Sequence, residues 1–126
     1  MPASIFDLQE LLSRVEGDRE LMRELLSIFK EEFPQHHQAL RKAVESMDSS
    51  RIASEAHALK GMLANLGAHS AAEAAAQLEQ LGRTRASSGL EASLAAFDRK
   101  AAELLPQVDS CEAEVLRRGF SWRTTK

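Results

Sequence analysis

His57 and Lys60 stand three residues apart, and Gly61 follows one helical turn after the histidine. An accessible imidazole is a nucleophile near neutral pH. An ammonium one turn away can stabilise an anionic group placed on that ring. A glycine inside a helix costs about 1 kcal/mol relative to alanine, so Gly61 needs a reason. A side chain at that position would crowd the imidazole, and its loss opens the ring to a bulky partner. Chemistry of this kind is phosphoryl transfer, which requires positioning and charge stabilisation more than a crowded set of catalytic groups.

The segment around these residues reads as a helix. Ile52, Ala56, Leu59, Leu63 and Leu66 cluster on one arc of the helical wheel, the expected core face. His57 points away from that arc and shares its stripe with Ala53, Lys60, Gly61 and Ala64. Gly67 stops the helix, and the turn to the next one centres near Ala68. His57 lies 11 residues before Ala68 and Glu79 lies 11 after it. In an antiparallel hairpin the two are level, so Glu79 is placed to accept a hydrogen bond from His57 Nδ1–H and leave Nε2 outward. Gln80 is the neighbouring alternative. Other pairings compete: Glu79 with Arg83 at i,i+4, and Lys60 with Glu55 or Glu73. For Gly61 the competing role is close helix packing.

Five helical segments are expected to position these residues. The chain is rich in Ala, Leu, Glu, Arg and Lys, which favours helix. The first segment runs from Ile5 to Val15, with Ser4 as N-cap, Ile5, Leu8, Leu11, Leu12 and Val15 on one face, and Gly17 behind it. The second starts near Asp18 and carries Leu21, Leu25, Ile28, Phe29 and Phe33 at three- and four-residue steps. Pro34 interrupts it, giving one kinked helix to Met47 or two stacked pieces. The third follows the Asp48-Ser49-Ser50 cap cluster and runs to Leu66; the fourth runs from Ser70 to Leu81, with Gly82 behind it. The fifth starts at Leu90, and Pro106 is expected to kink or split it. Short loops between amphipathic helices imply antiparallel neighbours. The expected fold is all-α, an up-and-down four-helix bundle with an additional N-terminal capping helix. Residues 1–118 read as one domain and 119–126 as a flexible C-terminal tail.

Composition removes other classes. The chain has 126 residues, 16 Lys plus Arg against 19 Asp plus Glu, one Cys and four His. A slightly acidic chain without tyrosine is a poor nucleic-acid binder. One Cys and four His cannot make a zinc-ribbon pattern, and no GxxxxGK[ST] phosphate loop occurs. No run of about 18 apolar residues and no secretory pattern is present, so a cytoplasmic, membrane-free protein is expected. An initiating Met1 favours a stand-alone chain. The adjacent His36 and His37 do not face each other on a helix, which argues against a metal clamp. Cys111 reads as a small apolar residue, and Trp122 has no assigned place.

His57-Ala58-Leu59-Lys60-Gly61, then Leu66-Gly67-Ala68, then Leu78-Glu79 together resemble the histidine-containing phosphotransfer (HPt) family, whose signature runs H-x-L-K-G, G-A, L-E. Phe29-Lys30-Glu31-Glu32-Phe33-Pro34 is similar to the family's long second helix, and the resemblance covers about residues 18–104. It implies a monomeric bundle that relays phosphoryl groups in a two-component phosphorelay. By that resemblance His57 is the phosphoacceptor, Lys60 assists the phosphoryl group, Gly61 clears space, and Glu79 orients the imidazole. The implied partners are response-regulator receiver domains, which carry the phosphoaspartate and its Mg²⁺, and a hybrid sensor histidine kinase. The chain itself would be a carrier without cofactor, metal or ATP, and not an enzyme. Met62, Leu63 and Ala71 depart from the family's usual residues, and Met62, off the core arc, points to a different partner-contact surface. The competing reading is a helical adaptor that never carries phosphate. A kinase dimerisation hairpin resembling H-E-[LIV]-[RK]-[TN]-P fits poorly, because Ala58 replaces the acid and no proline follows.

Overall fold

The structure is a computed structural model and describes residues 18–118. The expected helix over Ile5–Val15 and the expected tail over 119–126, with Trp122, lie outside the described residues. Four helices follow in order: α1 (Arg19–Glu45), α2 (Ser49–Leu66), α3 (His69–Arg83) and α4 (Leu90–Arg118). Each packs against its neighbours in sequence, and α1 closes the ring against α4. The connections are short, so the helices run up and down in a four-helix bundle.

Local chemistry sets the ends. The Asp18 side chain accepts from Leu21 N at 3.1 Å, and the Asp48 side chain accepts from Arg51 N at 3.1 Å; each satisfies an orphan N–H at a helix start. Gly67 ends α2 with φ of 84°, a left-handed turn that glycine adopts without strain. Its N–H donates to Ala64 O and that of Ala68 to Leu63 O, which closes the last turn.

Several boundaries differ from the sequence reading. At the prolines the continuous alternative holds rather than the split one: α1 passes through Pro34 and α4 passes through Pro106 without a break. Both prolines are exposed, as are the residues one turn before them, Lys30 and Ala102. The carbonyls that each proline deprives of a donor therefore sit on the solvent side, where water can replace the bond. Met47 does not extend α1: it takes φ of 57° in the turn and is 52% exposed. α3 starts one residue earlier than expected and runs past Gly82 to Arg83.

Gly82 is not a stop, because its role is proximity. A Cβ there would lie 2.7 Å from Ala53 N and 2.9 Å from Ser49 O. The α2 and α3 backbones approach closely at this level, and the alanines of α3 at 71, 72, 74 and 75 are all buried.

The core is one cluster. On α2 the buried residues are Ile52, Ala56, Leu59, Leu63 and Leu66, the arc expected from the sequence. On α1 the core stripe is Met22, Leu26, Phe29 and Phe33: Phe29 and Phe33 are buried as expected, while Met22 and Leu26 take the core positions expected of Leu21 and Leu25. Leu21 and Ile28 are left exposed, at 41% and 49%. Phe33 and Phe97 meet with ring centroids 6.2 Å apart, tying α1 to α4. Burying each large apolar side chain contributes about 1.5–3 kcal/mol, so the packed stripes set the rotation of α2 and with it the direction of His57.

Candidate functional site

Because the core arc of α2 faces inward, His57 stands on the outer side, with its side chain 64% exposed. Across the closely packed α2–α3 hairpin, Glu79 is 5% exposed, the one buried charged side chain among the described residues. An unpaired buried carboxylate would be costly, and here three donors meet it. His57 Nδ1 lies 3.0 Å from Glu79 Oε2, Lys60 Nζ lies 2.9 Å from Oε1, and an Arg83 guanidinium nitrogen lies 2.6 Å from Oε2.

These contacts decide the protonation state. The Lys60 hydrogen bond, aided by that of His57 and the fields of Lys60 and Arg83, outweighs burial and lowers the Glu79 carboxyl to about 2. At neutral pH Glu79 is therefore ionised and can only accept. The proton on the His57–Glu79 bond belongs to Nδ1. In the uncharged ring Nε2 then carries the free lone pair and is the atom available to an incoming electrophile.

The level placement expected about Ala68 thus brings His57 and Glu79 together. Lys60 joins them by reaching Glu79, not Glu55 or Glu73. Arg83, weighed in the sequence only as a rival partner for Glu79, binds the carboxylate at the same time as His57; its i,i+4 spacing was the available signal. Gly61 is exposed, and a Cβ there would meet nothing within 4 Å. The expected crowding of the imidazole by a residue 61 side chain is therefore not found, because the position opens outward into solvent and not toward the ring.

Lys60 also borders an open depression between α2 and α3, lined with Ser70, Glu73 and Ala76. Among the described residues no group of three or more His, Cys, Asp or Glu is arranged to hold a metal ion. Nor is any described helix long and apolar enough to cross a membrane.

His36 and His37 form no metal clamp either. His36 Nδ1 meets Glu55 of α2 at 2.7 Å, and His37 Nε2 meets Asp98 of α4 at 2.6 Å. Burial opposes ionisation of Asp98, but the hydrogen bonds of His37 and Arg41 hold its carboxyl below the usual range. Cys111 is buried, as a small apolar residue would be.

The sequence matches the Hpt domain over residues 24–113. No curated protein matches it significantly. Among solved structures, histidine-containing phosphotransfer protein B (HptB) from Pseudomonas aeruginosa PAO1 superposes with a TM-score of 0.82 at 22% sequence identity, covering 90% of this chain and 98% of that one. That likeness establishes a shared bundle. With the domain match spanning most of its length, the chain belongs to the Hpt domain family, the histidine phosphotransfer modules of two-component signalling.

Proposed function

We propose that the protein is a phosphocarrier that exchanges a phosphoryl group between His57 and the aspartate of receiver domains. The observation that carries this reading is an imidazole open to solvent whose Nδ1 is tied to a buried, ionised carboxylate. The Nε2 lone pair attacks phosphorus, the N–P bond forms, and the P–O bond to the receiver's aspartate breaks, leaving a carboxylate on the partner. The imidazole becomes a cation, and Glu79, already ionised, balances it through Nδ1–H. In the return step the ring departs neutral, because Nδ1 has kept its proton throughout. Mg²⁺ held by the receiver supplies charge neutralisation on the partner's side.

Lys60 and Arg83 divide the remaining work. Lys60 Nζ leaves Glu79 Oε1 for a phosphoryl oxygen, while Arg83 stays on Oε2 so that the buried carboxylate is never alone with the imidazolium. Gly61 lets the receiver's surface approach α2. The carrier works as a monomer, without ATP, in the cytoplasm with its receivers and a hybrid sensor histidine kinase upstream.

The test is direct. The full chain, mixed with a phosphorylated receiver domain, should acquire an acid-labile, base-stable phosphate, and His57→Gln should fold and stay unlabelled. Labelling of that variant at the native rate would exclude His57. A folded native protein that takes no label from any receiver would leave the adaptor reading.

A further inference from the structure

The arrangement at His57 has a counterpart on another face of the bundle. His36 Nδ1 lies 2.7 Å from Glu55 Oε1, with the two side chains 37% and 15% exposed. Arg51 stands on the other carboxylate oxygen, its Nε 3.7 Å from Glu55 Oε2. An imidazole, a largely buried carboxylate and an arginine four residues away on the carboxylate's own helix are also what His57, Glu79 and Arg83 supply. Glu55 and His57 are two residues apart on α2, about 200° around the helix. The two imidazoles therefore face different sides of α2.

The contact fixes which nitrogen of His36 is available. A carboxylate only accepts, so the shared proton sits on Nδ1 and the lone pair on Nε2. No described residue pairs with Nε2. His37 differs, because Asp98 holds its Nε2 at 2.6 Å and the ring is 15% exposed. Next to the His36 pair, a polar cavity of about 450 Å³ lies between the end of α1 and the start of α2, lined by Gln35, Lys42 and Arg51. Asp48 also lines it, but its carboxylate accepts from Arg51 N at 3.1 Å as a helix cap. Two cations against one engaged acid suit a small anion.

We propose that His36 is a second phosphoacceptor, modified by small anionic phosphoryl donors of the phosphoramidate type and not by a receiver domain. Nε2 attacks phosphorus, the N–P bond to the ring forms, and the P–N bond of the donor breaks. The donor's nitrogen, already protonated, leaves as ammonia with the bonding pair. The ring becomes a cation that Glu55 balances through Nδ1–H, and Arg51, held loosely on Glu55, turns to a phosphoryl oxygen. The proposal stands whether or not His57 exchanges with receivers.

Phosphoramidate with the full chain tests it, with mass spectrometry to map the modified residues and ³¹P NMR to identify the N–P bonds. The native chain should gain two phosphates, at His57 and His36. His57→Gln should keep one, and His57→Gln with His36→Gln should lose it. Glu55→Gln should slow labelling at His36 and leave the rate at His57 unchanged, an effect that exposure of His36 alone would not give. Absence of label at His36 in the native chain, whether or not His57 is labelled, would overturn the proposal. So would labelling of His36 no faster than of His37 or the exposed His69, or an unchanged His36 rate in Glu55→Gln.

Discussion

Three histidines in this bundle each hold a carboxylate, and the pairs are built in opposite senses. At His57–Glu79 the ring is 64% exposed and the carboxylate side chain 6% exposed. At His37–Asp98 the ring is 15% exposed and the carboxylate 32%. His37 is sandwiched by aromatics: its centroid lies 5.5 Å from Phe33 and 5.1 Å from Phe97, the latter edge-on. His36–Glu55 falls between, at 37% and 15%. The same hydrogen bond thus does different work. Where the ring is buried and the acid faces water, the pair clamps two helices. Where the acid is buried and the ring faces water, the acid fixes the tautomer and the second nitrogen is presented outward. A ring standing mostly in solvent over a fully buried acid, not the pairing itself, separates a presented ring nitrogen from a clamp, and His36–Glu55, ordered like His57–Glu79 but with its ring only 37% exposed, lies between them.

Truncation at His57 should break the comparison most completely. His57→Ala should eliminate phosphate uptake from a phosphorylated receiver while changing stability by no more than about 0.5 kcal/mol, because the ring is exposed and Glu79 keeps Lys60 and Arg83. Radiolabel retention and a urea titration on the same preparation measure the two effects.

Acid should next distinguish the buried carboxylate. Glu79 ionises at about 2 in the folded chain against an ordinary 4.5. Its contribution to stability is therefore complete above the ordinary value and disappears as pH falls toward 2. The linkage is about 3 kcal/mol at most. In Glu79→Gln that part of the acid loss should be absent, while the smaller loss from Asp98, also held low, should remain. Urea midpoints of both proteins between pH 6 and about 2 give the difference curve; parallel curves would show that Glu79 is not specially stabilised as an anion.

The clamp side should respond in stability alone. His37→Ala should cost about 2 kcal/mol through the lost aromatic contacts and the weakened Asp98 anchor, with phosphate uptake unchanged. Gly82→Ala should cost a similar amount, about 1–3 kcal/mol, since its Cβ would meet Ala53 N at 2.7 Å and backbone cannot yield as a side-chain end can. Thermal melts beside labelling assays check both variants.

How much of this the sequence carried differs by element. The α2 arc was legible because one face is strongly apolar and Asp48 and Gly67 mark its ends. The level placement of Glu79 followed from a two-residue turn, which leaves little freedom of register. α1 was harder to read. Leu21, Leu25 and Ile28 have the same spacing as the core stripe beside them, and periodicity cannot say which of two adjacent apolar stripes faces inward. Gly82 read as a stop because closeness between backbones leaves no local signal. The convergence of Lys60 and Arg83 on one buried carboxylate was also hidden, since Arg83 read as a rival of His57 for Glu79 and Lys60 had Glu55 and Glu73 as other candidates.

Gly61 gives the smallest and most discriminating outcome. It differs from Gly82 in facing open space, so Gly61→Ala adds no clash and gains helix propensity, raising stability by up to about 1 kcal/mol. If the position matters to the free protein, that gain should be missing. If it matters to an arriving receiver, the melting temperature should rise while the initial labelling rate falls, because a methyl then stands between α2 and the partner's surface. A higher melting temperature with an unchanged rate would take Gly61 out of partner access and leave the orientation of His57 as the only determinant of exposure on this face.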